Sequence, residues 1–557
     1  MLLTKVGSHG VCVVWHEGGA YAVDDRCPHL GFPLHRGTVE QGLLTCHWHH
    51  ARFDLCSGGT LDPFADDVRT YPVEIRGDRL VVLTPEDGDH TAATLRRLDD
   101  GIEQGLTLVT AKAVLGLLAG GVPAAEIVGR GVSFGTTHRR PGWGAGLTVL
   151  VAMANLLPHL DAGDRALALV QGLAFLSQDT RDHADRYPLA PLETATLPPE
   201  RLAAWYRRFI DTRTDEAAER TLATAVAADG VGRAAVERMM FAAATDHVFI
   251  DEGHTLDFTN KAFEALDHLG WKAAGEVLPT LVLQTATARR HEEEGAWRYP
   301  HDLASLAVSA SARLAAAGSG VLEGSGVSDS DVAAIAWRLL DEEPSAGVDA
   351  LLEGLEAGAS PEQIGRAVAL AAGLRITRFH VQNDHADWNT VHHGFTYANA
   401  LHQALVRAPS VELLRGAVHG ALKVFLDRFL NVPAARVPSV TTPDLADLQG
   451  CWDVEGQVDR AGGIVYSWIR GGGAPSAAVA ALGRALVSED AQFHWFQTVE
   501  AAARQADAWP AGSEPQALLL AGAARFLAAH TPTRRELPQV VRIATRLRRG
   551  EDLFEES

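Results

Sequence analysis

Two short stretches near the start of the chain combine cysteine and histidine at close spacing. Cys27 and His29 stand in the run CPHLG, and Cys46 and His49 stand in the later run CHWHH. Two loops of this kind can each give one thiolate and one imidazole to a two-iron cluster, so that each loop reaches both irons. The Cys-x-x-His spacing selects His49 rather than its histidine neighbours as the second imidazole. A zinc site made of the same four residues is the alternative.

Residues 1 to about 85 resemble Rieske ferredoxins and the Rieske domain of non-haem oxygenases. The resemblance rests on both Cys/His loops, on the run ARFDLCSGG after the second loop, and on Pro63. It implies a 2Fe-2S cluster with two thiolates on one iron and two imidazoles on the other. These four ligands are Cys27, Cys46, His29 and His49. Neutral imidazoles raise the reduction potential above that of an all-cysteine cluster, so the resemblance implies electron transfer.

Four positions separate this segment from other members of that family. His47 stands where proline is common, and His50 stands where the family usually places glycine. Respiratory Rieske proteins of high potential add a disulfide between the two loops, and the matching positions here are Phe32 and Trp48. The resemblance therefore places the segment with the soluble ferredoxins and oxygenases of lower potential.

The chain changes character near residue 88. Before that point, short β-rich runs alternate with Gly, Asp and Pro turns, which predicts an all-β Rieske domain over residues 1–88. Residues 85–92 form the predicted linker. Residues 93–557 show helical periodicity almost throughout, which predicts one large all-α domain, the catalytic one, in a multidomain chain. Four histidine-bearing bends within it suggest internal repeats of stacked helical hairpins. These bends contain His138, His247, His385 and His494.

Two of these repeats share an Asp-His pair followed by a second histidine at the same distance. Asp251 and His254 stand three residues apart, so both can reach one metal from one face of a helix. Imidazole and carboxylate favour iron, with manganese and zinc as competitors. Histidines also occupy helix ends and buried polar networks, which is the alternative. The predicted second metal site comprises His247, Asp251, His254, Asp384, His385 and His392.

The usual iron site of Rieske oxygenases cannot be carried over to this chain. In that family the iron lies on a D/E-x2-H-x4-H stretch, whereas Thr377 stands at the acidic position before His380 and His385. The glycine-rich run from Gly318 lacks the dinucleotide-binding spacing and follows no predicted strand. We therefore expect electrons to come from a separate reductase or a ferredoxin.

Composition limits the partners and the location of the protein. The chain has 557 residues, a formal net charge of −21 and five cysteines. That charge disfavours nucleic acid and anionic membranes as partners. The apolar run from Ala145 is too short to cross a bilayer, and we recognise no signal peptide at the N-terminus. Few cysteines suit a reducing compartment, so we expect a cytoplasmic protein.

Two functions are compatible with this sequence. In the first, the protein is an oxygen-dependent oxidoreductase, an oxygenase whose cluster delivers electrons to a His-ligated iron in the helical domain, which acts on a small organic substrate. In the second, it is an electron-transfer or redox-sensing protein whose helical domain docks a partner. We favour the first, because a helical region of this size with clustered His, Asp and Trp exceeds what docking needs. The expected partners are an external reductase or ferredoxin, a small-molecule substrate and a second copy of the chain.

Overall fold

The chain forms two compact units, seen in a computed structural model. The structure describes residues 1–7, 9–84, 91–193, 197–228, 230–250, 254–384, 386–439, 444–551 and 553. The first unit comprises Met1–Ile127, Leu169–Arg181 and Glu536–Ser557. The second unit comprises Val128–Ala168 and Asp182–Arg535.

Nine strands among the described residues form the β part of the first unit. Their bounds are β1 Leu2–Val6, β2 His9–His16, β3 Gly19–Asp24, β4 Thr38–Glu40, β5 Leu43–Thr45, β6 Arg52–Asp54, β7 Thr70–Tyr71, β8 Val73–Arg76 and β9 Arg79–Val82. They pair in three antiparallel sheets, with the strand orders β1-β2-β3-β7, β4-β5-β6 and β8-β9. In the register of β2 and β3, Trp15 lies opposite Ala20.

Strand β2 is buried on both of its faces. Alternate side chains of a strand point to opposite sides of the sheet, and all four residues Val11–Val14 are buried. Cys12 and Val14 belong to the larger hydrophobic cluster, while the other two belong to a smaller one. The larger cluster also contains Cys27 and Cys46. The same core that stabilises the sheets therefore anchors the two loops that carry the predicted cluster ligands.

Twenty-two α-helices lie in the described part of the chain. Their bounds are α1 Thr91–Glu103, α2 Thr107–Ala119, α3 Ala124–Thr137, α4 Ala145–Leu156, α5 Ala162–Thr180, α6 Pro199–Asp211, α7 Asp215–Ala227, α8 Arg233–Ala244, α9 Thr255–Leu269, α10 Ala274–Val277, α11 Val282–Thr287, α12 Leu303–Ala317, α13 Asp329–Arg338, α14 Pro344–Glu356, α15 Pro361–Thr377, α16 Asp387–Arg407, α17 Val411–Leu426, α18 Val458–Arg470, α19 Pro475–Val487, α20 Phe493–Asp507, α21 Glu514–His530 and α22 Glu536–Arg548. The predicted fold class, a β-sheet domain followed by a large all-α region, is confirmed.

The first unit contains helices as well as strands. Helices α1, α2 and α22 belong to it, and α2 packs on both α1 and α22. Most of the predicted linker, residues 85–90, lies outside the described residues. The division into domains at residues 1–88 and 93–557 stays a prediction.

Helix α15 is the most deeply buried long helix of the second unit's core, since every residue from Ile364 to Thr377 is buried. Gly365 lets the backbone of α16 approach closely, because a Cβ at this position would lie 2.9 Å from the Cα of His402. Helix α16 packs in turn on α9 and α20. This packing brings together α9, α16 and α20, which are distant in sequence. Each of these helices has a histidine at or near its start.

One helical segment among the described residues has the length and apolar composition to cross a membrane, namely Leu303–Leu322. An apolar helix of a soluble protein can meet the same criteria. Arg313 within this segment forms an ion pair with Asp349 at 2.9 Å. Length and composition alone are therefore weak evidence for a membrane span.

Candidate metal centres

Two loops bring the four predicted cluster ligands together. The first follows β3 and is closed by hydrogen bonds from Cys27 N to Phe32 O at 2.9 Å and from Gly31 N to Cys27 O at 2.7 Å. The second joins β5 to β6 and is closed by a hydrogen bond from Cys46 N to Ala51 O at 2.9 Å. Each loop thus fixes a cysteine at its start, with the predicted histidine ligand following within the same turn of chain.

The positions that depart from the family pattern are accommodated in these loops. His50 has a φ of +61°, in the left-handed region that glycine enters freely and other residues enter at a cost of about 1–2 kcal/mol. The second loop therefore keeps the backbone conformation that explains glycine at this position in relatives. Phe32 and Trp48 place their ring centroids 6.0 Å apart, so an aromatic contact links the two loops.

The two thiols are buried, and backbone N–H groups donate to both sulfur atoms. Cys27 and Cys46 are 2% and 1% exposed and hydrogen-bond to each other. The backbone N–H groups two and three residues after each cysteine donate to its sulfur. The bond from Cys27 is the main cause that lowers the pKa of Cys46, while that same bond and burial raise the pKa of Cys27. Converging donors of this kind favour thiolate ligands.

The two imidazoles lie side by side. The ring centroids of His29 and His49 are 4.9 Å apart, and the ring planes meet at 82°. His29 Nδ1 is buried and has no hydrogen-bond partner among the described residues. Burial, together with the charge of Lys112 and the neighbouring His49, lowers the pKa of His29 to about 4. A neutral imidazole with a free nitrogen is the form that binds metal, so these four residues fit a 2Fe-2S cluster.

A second group of histidines lies in the second unit. His254 is the N-cap of α9, His393 lies near the start of α16, and His494 lies in the first turn of α20. Their ligating nitrogens all lie within 4.8 Å of one another, and all three residues are partly buried. Two nitrogens bound tetrahedrally to one ion at about 2.1 Å are about 3.4 Å apart. The nitrogens therefore need to approach one another by at most about 1.4 Å to share an ion.

Hydrogen bonds on the far side of two rings set their orientation. His254 Nδ1 donates to Asp257 Oδ2 at 2.8 Å, and His494 Nδ1 donates to Asn389 Oδ1 at 2.9 Å. In this tautomer the lone pair of each ring is on Nε2, which is the form of imidazole that binds metal. Asp257 is buried and also accepts a hydrogen bond from Gln497 Nε2 at 3.0 Å. A carboxylate held in this way typically orients a metal-binding histidine.

The surroundings of His494 favour its neutral imidazole. Burial, together with His393 and His254, lowers the pKa of His494 to about 3. Its ring is therefore unprotonated at pH 7, so no proton competes with a metal there. Phe258 stacks on His254 with ring centroids 5.0 Å apart, and Phe493 contacts the same ring edge-on at 5.2 Å.

The structure assembles a set of histidines that differs from the predicted one. Of the four predicted residues that it describes, only His254 belongs to the group. His247 instead hydrogen-bonds to Glu292 at 2.7 Å and to Asp211 at 2.9 Å. These carboxylates, with Glu292 the larger contribution, raise the pKa of His247, which favours a protonated ring rather than a ligand. Among the other predicted positions, Asp384 is exposed, and Asp251 and His385 lie outside the described residues.

His392 lies one residue away from the position that enters the group. It is fully buried, hydrogen-bonds to the hydroxyl of Thr498, and has its ring centroid 4.3 Å from that of His494. Successive residues of a helix point about 100° apart. His392 therefore packs behind the group, whereas His393, which the spacing argument did not select, enters it. The adjacent residues His392 and His393 are the feature of the sequence that could have indicated a histidine site on α16.

Known proteins resemble the N-terminal segment of the chain. Residues 1–72 match the Rieske [2Fe-2S] domain family. The ferredoxin component of the naphthalene 1,2-dioxygenase system of Pseudomonas aeruginosa is 37% identical over 67 residues, which cover 12% of this chain and 64% of that protein. The ferredoxin component of the alkene monooxygenase system of Xanthobacter autotrophicus is 33% identical over 88 residues, which cover 15% of this chain and 72% of that protein.

The similarity does not extend to the helical region. The match to the naphthalene relative spans less than two thirds of that protein, and the region beyond the Rieske segment has no family match. A solved complex of reduced oxygenase and oxidized ferredoxin in carbazole 1,9a-dioxygenase includes a chain 25% identical to this one. The match covers 14% of this chain and 83% of that chain, with a TM-score of 0.14. Residues 1–72 match the family, and the alkene monooxygenase ferredoxin component is 33% identical over 72% of its length. This chain therefore belongs, through its N-terminal segment, to the Rieske [2Fe-2S] family.

Proposed function

We propose that this protein is a Rieske-type oxidoreductase, an oxygenase in which electrons from the N-terminal cluster reach a metal held by His254, His393 and His494. The observation that carries the proposal is the convergence of three imidazoles from three helices in the second unit. Iron is the proposed metal, with zinc and manganese as competitors for imidazole ligands. Iron bound there would supply one-electron chemistry towards dioxygen, with a small organic molecule as the substrate.

The side chains around the three imidazoles suit a metal that keeps open coordination positions. Three protein ligands leave one position of a tetrahedral ion unfilled, and more in a larger coordination sphere. Asp257 and Asn389 hold two of the rings in the ligating tautomer. Phe258 and Phe493 pack against His254 and limit the access of water to it. The chain therefore contributes oriented neutral ligands with apolar rings against one of them.

Electrons would enter the Rieske cluster at its histidine side. His49 and Trp48 are exposed, and their ring centroids are 4.6 Å apart, whereas both cysteines are buried. A protein that docks over this exposed surface would approach the cluster through His49. Because relatives are ferredoxin components of oxygenase systems, we propose an external reductase or a ferredoxin as the electron donor.

Metal analysis of the purified full-length chain tests the proposal. We expect the two irons of the cluster and one further metal ion per chain. Replacing His393 or His494 with Ala should remove the further ion and leave the electron paramagnetic signal of the cluster intact. His247→Ala is the matched control, because it removes a histidine of the same unit that pairs with carboxylates. This control should retain the further ion.

An electron carrier with a helical docking region is the second candidate function. The ferredoxin relatives favour it, because each of them is named as one component of a larger system. Such a carrier would contain the cluster irons and no further metal, and His393→Ala would leave its metal content unchanged. That result would contradict the oxygenase proposal and support the carrier.

A further inference from the structure

Two helices of the first unit contact the Rieske segment. They are α1 and α2, and both lie beyond residues 1–72, the segment that matches the Rieske family. Arg97 of α1 donates to the backbone carbonyls of Pro63 and Ala65, each at 3.0 Å, and to the Asp66 carboxylate at 3.1 Å. The helices are therefore tied to the Rieske segment by specific hydrogen bonds.

Lys112 of α2 makes the contact closest to a predicted ligand. Its Nζ donates to the carbonyl oxygen of His29 at 2.9 Å and also to the carbonyl of Pro28. The carboxylate of Asp66 accepts from the same ammonium at 3.3 Å. The Lys112 side chain is 15% exposed. One ammonium thus donates hydrogen bonds to two backbone carbonyls of the first ligand loop, those of Pro28 and His29.

A cation in this place must affect the redox equilibrium of the cluster. Reduction adds one negative charge to the cluster, and a nearby cation stabilises that charge more strongly when it is shielded from water. Lys112 Nζ lies 2.9 Å from the carbonyl oxygen of His29, and its side chain is largely buried, so water screens its charge only weakly at the ligand loop.

We propose that Lys112 is a positioning residue that holds the Cys27–Gly31 loop and raises the reduction potential of the Rieske cluster. Lys112 lies beyond residues 1–72, so a residue of the appended helices adjusts the cluster. The proposed role of Lys112 involves only the cluster ligands and α2, which belong to the first unit. It holds whether the helical region is an oxygenase or a docking region.

Redox titration of the full-length protein, monitored by the electron paramagnetic signal of the reduced cluster, tests this inference. We expect Lys112→Met and Lys112→Gln to lower the reduction potential, and Lys112→Arg to keep it close to that of the unmodified protein. Lys5→Met is the matched control, because it removes the same charge from an exposed position of the same unit. Its potential should stay unchanged, since water and salt screen an exposed charge.

The glutamine variant keeps the test decisive if the methionine variant fails to assemble its cluster. Glutamine can still donate a hydrogen bond to the loop carbonyls, but it carries no charge. Failure of the methionine variant with a lowered potential in the glutamine variant supports both roles of Lys112. An intact cluster with an unchanged potential in the glutamine variant would overturn the inference. A fall in the arginine variant as large as that in the glutamine variant would overturn it as well.

Discussion

At the scale of single residues, a side chain can bind a metal only where protons and competing partners have been removed. The first loop meets this condition at His29, whose Nδ1 is buried without a partner among the described residues. At Cys46 the hydrogen bond from Cys27 and two backbone donors lower the pKa of the thiol, which favours negative sulfur. Donors around sulfur and a low imidazole pKa act together, so both ends of the predicted cluster are prepared by the same short loops.

Replacing Cys46 with Ser should abolish the 2Fe-2S cluster. Serine binds iron poorly at neutral pH, and its shorter bond length moves the ligand atom away from the place that the buried loop provides. Iron content and the electron paramagnetic signal of the dithionite-reduced protein measure the loss. Cys56→Ser is the control, because Cys56 is exposed and is not a predicted ligand. A Cys46→Ser protein that kept the signal would contradict the ligand assignment.

Replacing Asp257 with Asn should weaken binding of the further metal by about 10–100-fold. The buried carboxylate accepts from His254 Nδ1 and raises the basicity of that ring, and a neutral amide does this less well. Metal titration of the chelator-treated protein measures the affinity. Asp384→Asn replaces an exposed aspartate that the sequence suggested as a ligand. If this control lost affinity and Asp257→Asn did not, the carboxylate assignment would have to be reversed.

The two metal centres differed in how far the sequence predicted them. The predicted cluster ligands lie in two short loops, so local spacing alone selects them. The group in the second unit comes from three helices, and only His254 was predicted among its members, although His494 was noted as a residue of a repeat. The repeat pattern selected His392, but the side of α16 that packs against α20 determines whether His392 or His393 lies in the group. That orientation depends on packing between segments distant in sequence, so it cannot be derived from residue spacing alone.

At the scale of elements, close approach of helix backbones builds the core that holds the three histidines. Helix α15 is buried along nearly its whole length, and α16 packs against it at Gly365. Ala and Gly at such contacts let helices approach without voids. The small residue Gly365 therefore lets α15 and α16 pack closely.

Replacing Gly365 with Ala should lower the stability of the second unit by about 1–3 kcal/mol. The added Cβ would lie 2.9 Å from the Cα of His402, so a backbone must shift. Thermal unfolding followed by far-ultraviolet circular dichroism measures the effect as a lower Tm. Gly463→Ala is the control, because a Cβ there meets nothing within 4 Å, and alanine favours a helix interior by up to about 1 kcal/mol. Equal Tm values for the two variants would refute this account of the packing.

The boundary between strands and helices was predicted, but the grouping of elements was not. Composition separates the β-rich start from the helical remainder, and the structure has all nine described strands before residue 83. Helices α1, α2 and α22 nevertheless belong to the same compact unit as the strands. Helix α22 joins that unit from the far end of the chain. Local periodicity carries no information about such long-range contacts.

At the scale of the whole molecule, each unit has its own buried interior. The second unit is built from residues Val128–Ala168 and Asp182–Arg535. We therefore expect a fragment of residues 93–557 to fold as a mainly helical protein, because most of it can bury its apolar surface without the Rieske strands. Far-ultraviolet circular dichroism, with the full-length chain as reference, tests this. The spectrum of an unfolded or strand-rich fragment would contradict the predicted domain division.

We propose that the Rieske cluster supplies electrons to a metal at His254, His393 and His494. Stopped-flow mixing of the reduced full-length protein with dioxygen tests it most directly, with the visible absorption of the cluster as the signal of its reoxidation. If electrons pass from the cluster to this metal, we expect reoxidation of the cluster to slow by at least about tenfold in His494→Ala. A tenfold change corresponds to about 1.4 kcal/mol of activation free energy. His247→Ala should reoxidise at the rate of the unmodified protein. Equal reoxidation rates for the unmodified protein and His494→Ala, with intact clusters in both, would contradict electron transfer from the cluster to this metal.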